Sequence, residues 1–177
     1  MKNIFKYLAT TAIAVAMFGL TACDPENPEP EPDNQPQTYE LDEIENVGTL
    51  FAIHFNGETI QPGATITYNA TASDLADNFA AINMYIENLS SNEVTAIHRI
   101  EIAEGPADMN EYDVCAGGSC PWNGQPYVLA PGINETMPIT MEFHPNDHAA
   151  HATALFRVAV LTDRDENATY IFLRVNL

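Results

Sequence analysis

Ala80-Ala81-Ile82-Asn83-Met84-Tyr85-Ile86-Glu87-Asn88 is the stretch on which the fold turns. Ile82, Met84 and Ile86 alternate with Asn83, Tyr85 and Glu87, and a period of two puts one set of side chains into a core and the other toward water. Outward from it, 155–161 and 170–175 are apolar at both parities, as strands in the middle of a sheet are. Asn56-Gly57 between Phe55 and Thr59 is a hairpin signal, because the tight turn it favours needs positive φ at both central residues. The further candidate strands are 48–56, 59–60, 65–71, 93–103, 111–115, 127–129, 136–144, 152–162 and 169–176. No stretch of helical length shows a 3.6-residue period, and the one helical turn expected is 72–77, capped by Ser73. Many short strands with frequent turns predict an all-β chain, an antiparallel β-sandwich of one domain over 41–177.

The N-terminal region reads as an address. Lys2 and Lys6 precede an uncharged apolar run at 8–20, shorter than a membrane-spanning helix and of signal-peptide length. Leu20-Thr21-Ala22-Cys23 closes the run as a lipobox, so residues 1–22 are expected to leave as a lipoprotein signal peptide and Cys23 to become the lipidated first residue. Two lipid signals on one cysteine anchor stably where a single acyl chain anchors marginally. Residues 23–40 then form an acidic, proline-rich linker. From Asp24 to Gln37 it holds no apolar side chain except proline, so it buries no core and extends as a disordered stalk, spanning some 40 Å at roughly 3 Å per residue.

The whole chain carries a net charge of −19, which becomes −21 once Lys2 and Lys6 are removed, and no lysine is left. Such a field repels phosphate backbones, which excludes nucleic acid as a partner. The expected partners are the membrane, reached through the lipid, and an unidentified protein or glycan. No dinucleotide fingerprint, phosphate loop or Gly-x-Ser-x-Gly elbow is present, so neither a cofactor nor catalysis is expected.

Cys115 and Cys120 remain after Cys23 is lipidated. In an oxidising compartment a disulfide is their default, worth about 2 kcal/mol for so short a loop. Three of the five histidines fall in His144-Pro-Asn-Asp-His148-Ala-Ala-His151. Neutral imidazoles at this density offer an alternative function, a transition-metal-binding lipoprotein using His144, His148 and His151. Pro145 and Asn146 argue instead for a turn that leaves the three without a shared ligand. Asp163-Arg164-Asp165-Glu166-Asn167 spaces oxygen donors like the start of a calcium loop but lacks its glycine and its terminal glutamate, and is expected as a charged hairpin turn.

The Cys115/Cys120 pair, Pro121, Pro126 and Tyr127, the Pro131-Gly132 turn, the alternating strand running into His144-Pro145-Asn146 and two closing strands together resemble the immunoglobulin-like domains of Bacteroidetes surface lipoproteins. The likeness runs over about 47–177. It implies an adhesive, binding or structural accessory module at the outer membrane, exposed at the cell surface, and it carries no catalytic residues across.

Overall fold

The computed structural model describes residues 37–106, 109, the backbone of 113–116, and residues 124–148, 151–162 and 167–177. The signal segment, Cys23, the linker up to residue 36, the Cys115 and Cys120 side chains and the acidic tip at 163–166 lie outside the described set. The described elements are β1 (Gln37–Thr38), β2 (Phe51–Phe55), β3 (Glu58–Ile60), β4 (Thr65–Asn69), α1 (Ala72–Asp77), β5 (Ala80–Asn88), β6 (Val94–Gly105), β7 (Asp113–Ala116), β8 (Pro126–Leu129), β9 (Gly132–Ile133), β10 (Ile139–Phe143), a 3₁₀ turn (Pro145–Asp147), β11 (Thr153–Thr162) and β12 (Ala168–Asn176). Sheet 1 runs β1-β6-β11-β12-β4 with β8 also on β6, and sheet 2 runs β3-β2-β5-β10-β7 with β9 also on β5.

Alternation decides which side chains meet. Phe51 and Ile53 of β2, Ile82, Met84 and Ile86 of β5 and Ile139, Met141 and Phe143 of β10 form the inner face of sheet 2. Ile100 and Ile102 of β6, Phe156, Val158 and Val160 of β11 and Ile171, Leu173 and Val175 of β12 face them from sheet 1. The rings of Phe143 and Phe156 meet across the interface at 5.6 Å, tilted by 52°. Burying side chains of this size is worth about 1.5–3 kcal/mol each, and this shared core makes the two sheets a sandwich. Asn83 and Glu87 on the opposite face of β5 are not buried, as the alternation requires.

The hairpin at Asn56-Gly57 forms with φ of 51° and 81°, joining β2 to β3 in antiparallel register. The small helix spans 72–77 as expected, but its cap is Thr71 and not Ser73. The Thr71 hydroxyl accepts from the Asp74 amide while the Asp74 carboxylate accepts from the Thr71 amide, a reciprocal box that Ser73, two residues further on, cannot make. Ser73 donates to Asp77 instead. The same Asp74 carboxylate accepts from Tyr68. Burial and this neighbour raise the Tyr68 phenol to about 12, and the Thr71 amide foremost holds the Asp74 carboxyl below its usual range.

Three expectations shift. The strand expected over 48–56 begins only at Phe51, because Gly48 donates to the Ala168 carbonyl in sheet 1 and the chain changes sheets between 48 and 50. The pairing is also not wholly antiparallel. β4 joins β12 in parallel, Thr65 opposite Phe172 and Asn69 opposite Asn176, and Val47 bridges Ala168 in the same sense. The ordered unit reaches further back than residue 41. Gln37 and Thr38 pair with Gly105 and Glu104, and the Tyr39 amide donates to Ala103, so the paired backbone starts inside the stretch assigned to the linker.

Between these two pairings, the chain crosses the outer face of sheet 1. It leaves the β6 edge at Tyr39 and arrives at the β12 edge at Asn46, whose carbonyl accepts from the Ala168 amide. On the way Ile44 packs on Ala159, Leu161 and Ala168, a small second apolar cluster.

Candidate functional site

The histidine triplet does not converge. His144 caps the 3₁₀ turn, its Nδ1 2.9 Å from the Asn78 carbonyl and its ring 6.1 Å from that of Phe79. His148 follows the turn in extended conformation, and His151 is exposed in the left-handed region at φ 66°. Among the described residues no three His, Cys, Asp or Glu side chains group as metal ligands. Pro145 produces this outcome: at the first position of the turn it fixes φ and removes an amide, so the segment coils for three residues and then extends. The backbone of Cys115 lies in β7 opposite Thr140, while its bridge to Cys120 falls outside the described side chains. The charged turn expected at 163–167 joins the antiparallel β11 and β12, Thr162 donating to Asn167 across it, with its tip likewise outside.

Three further features stand out among the described residues. On the outer face of sheet 2, the His54 Nε2 is 2.8 Å from the Glu87 carboxylate and its Nδ1 is 3.2 Å from the Thr59 hydroxyl. Glu87 accepting from Nε2–H leaves Nδ1 to accept from Thr59, a carboxylate–imidazole–hydroxyl relay. It lies on an open sheet face, beside a shallow groove lined by Phe51, Ala52, Ile60, Pro62 and Leu89. Linking side chains of three neighbouring strands, it is a cross-strand polar ladder. Its signal was hidden because the three residues lie on three strands, and only the register brings them side by side.

Under the crossing segment, Arg157 is 7% exposed and donates from Nε to Glu101 at 3.0 Å. Its Nη2 donates to Glu101 and to the Asp42 carbonyl, and the Asp42 amide donates back to Glu101 at 3.0 Å. Arg99 adds a looser contact to Asp42 at 3.9 Å. The arginines are thus gathered on one face, and two of the three described hold the strap in place.

The strap does not cover the remaining half of that face, whose outward residues are partly exposed. Because Ile171, Leu173 and Val175 point inward, Tyr170, Phe172 and Arg174 point outward along β12. Phe172 stands opposite Thr65 and Arg174 opposite Thr67 on β4, and Leu155 stands beside Arg174 on β11. Tyr170 and Phe172 meet edge to face at 5.8 Å and 85°, both half-buried. Arg174 makes no ion pair among the described residues. The odd–even pattern of 170–175 carried this arrangement, but apolar residues at both parities conceal which face is covered.

A third feature is buried. His98 has zero exposure and, among the described residues, neither ring nitrogen has a hydrogen-bond partner. Its ring lies 5.3 Å from that of Tyr127, whose hydroxyl is equally without one. Burial lowers the His98 pKa from 6.5 to about 4 and raises that of Tyr127. The position was readable, since His98 shares parity with Ala96, Ile100 and Ile102.

No protein-family model and no curated protein sequence matches the chain. Among solved structures it is similar to the N-terminal domain of PorA, at 15% identity and a TM-score of 0.49, covering 71% of this chain and 96% of that one. It is also similar to the CooA pilin subunit of enterotoxigenic Escherichia coli, at 8% identity and a TM-score of 0.45, covering 73% and 99%. A third similarity is to the PapD-like domain of human CEP192, at 11% identity and a TM-score of 0.40, covering 79% and 94%. The architecture is a β-sandwich of two sheets that share one apolar core.

Proposed function

We propose that this chain is a lipid-anchored extracytoplasmic module that binds a protein or glycan and has no catalytic activity of its own. The observation that carries the reading is Leu20-Thr21-Ala22-Cys23 at the end of a short apolar run, followed at once by an acidic, proline-rich stretch. Cys23 bears the lipid, the linker holds the domain off the bilayer, and the sandwich presents its faces to partners at the outer membrane surface. The fold supports the binding part of the reading. Its shared core is built mainly of apolar side chains, and Tyr170, Phe172 and Arg174 lie on an outer sheet face, where contact with a partner is favoured over enclosed chemistry. The open half of the sheet 1 face, with Tyr170, Phe172 and Arg174, is the contact surface.

Labelling of the producing cells with an alkyne fatty acid tests the anchor. Wild-type protein is expected to take up label, and Cys23→Ala is expected to take up none and to accumulate at precursor mass. Wild-type protein without label, or a variant labelled as heavily, overturns the anchored reading.

A further inference from the structure

In a chain this acidic a guanidinium finds carboxylates easily, and the other two described arginines have done so. Arg157 is held by Glu101 and Arg99 lies near Asp42, both under the strap. Among the described residues Arg174 has no such partner, and it lies beside Phe172 on the outward side of β12. Resting on the binding reading above, we propose that this face takes a saccharide bearing carboxylates, a uronic-acid polymer being the type.

The chemistry of each position fits. The Arg174 fork matches a carboxylate bidentately, and such a charge-assisted pair is stronger than neutral hydrogen bonds. Phe172 supplies an apolar surface for the C–H face of a sugar ring, and Tyr170 at 85° braces it from the side. Tyr170 is itself packed in the cluster that contains Ile44 of the strap, so the platform is fixed before any ligand arrives. The Thr65 and Thr67 side chains, both on exposed residues one strand away, offer hydroxyls to the ring hydroxyls.

Charge and backbone geometry narrow the ligand class. The net negative charge repels anions at long range, but at physiological salt that field is screened within about 8 Å, so nearby groups decide. Glu104, the acid on the same cross-strand row, stands beyond Leu155 and turns a carboxylate toward Arg174 and away from β6. A peptide lying on this face would leave its own amides unmatched, because strand N–H and C=O groups lie in the plane of the sheet. A sugar meets the face through side chains alone.

Affinity electrophoresis of the full chain in detergent, through gels containing polygalacturonate, dextran or poly-L-glutamate, tests the proposal. Retardation is expected with polygalacturonate only, about tenfold weaker in Arg174→Gln and in Phe172→Ala, each checked for an unchanged melting transition. Equal retardation by dextran overturns the carboxylate requirement, and equal retardation by poly-L-glutamate moves the assignment to acidic peptides. No retardation by polygalacturonate, or retardation untouched in both variants, overturns the site. None of these results bears on fatty-acid labelling at Cys23, so failure here and failure of the anchor are separable.

Discussion

At the scale of single residues, His98 is the most consequential. Asn88, also buried, is fully used, its amide nitrogen donating to the Asn92 and Leu129 carbonyls and its oxygen accepting from the Ser90 amide. His98 is buried with no hydrogen-bond partner among the described residues, and burial keeps it neutral in the folded state down to about pH 4, whereas in the unfolded chain it protonates near 6.5. The unfolded state then binds more protons between these values. The His98 contribution to stability is complete above pH 6.5 and is lost as pH falls toward 4, a change of about 3 kcal/mol. His98→Leu is expected to flatten that slope and to raise stability at pH 7 by about 1–2 kcal/mol, since removing both unmatched nitrogens relieves their desolvation. Urea unfolding of both proteins at pH 7 and pH 4.5 checks it, and an unchanged slope in the variant would assign the acid sensitivity to other groups.

Among the elements, the strap from Tyr39 to Asn46 depends on one interlocked set of bonds. Arg157 and Glu101 are paired across β11 and β6, with Asp42 laid over them, so removing either side chain strands a largely buried opposite charge. Arg157→Ala is expected to cost about 3 kcal/mol and to speed hydrogen exchange at the Asp42 and Ala168 amides before the core amides respond. Equal acceleration throughout sheet 1 would mean that the strap and the sheet open as one. This element was not legible in advance, because 41–46 falls in the expected domain but outside every expected strand, and Ile44 is the residue that betrays a buried side. The central strands were legible, since 82, 84 and 86 alternate and 155–161 is continuously apolar, and burial enforces both patterns. The parallel partnership of β4 with β12 was not, because it joins residues about a hundred positions apart with no local signature. His144, His148 and His151 stay apart as the turn signal at Pro145-Asn146 suggested: nearness in sequence became nearness in space only as far as Pro145 allowed.

For the molecule as a whole, the boundary of the folded unit is a measurable quantity. A chain beginning at Gln37 is expected to melt with the full-length protein, because the acidic stretch before it has no apolar side chain other than proline to contribute. A chain beginning at Leu41 loses the β1 pairing and the packing of Tyr39 on the core, and is expected to melt roughly 3–6 °C lower. Calorimetry of the two decides it, and coincident transitions would return the boundary to residue 41. The position of the strap has a mechanical consequence. If the molecule is held by its N-terminus while a partner pulls on the sheet 1 face, tension enters at Gln37 and meets the short β1 pairing and the strap before it meets the long ladders of β6, β11 and β12. Peeling residues 37–48 would release about 40 Å of slack at the chain's extended length while the sandwich stays shut. The segment that fastens the face when unloaded would then act as a sacrificial hinge under load, lengthening the tether and uncovering Arg99 and Arg157 beside Arg174.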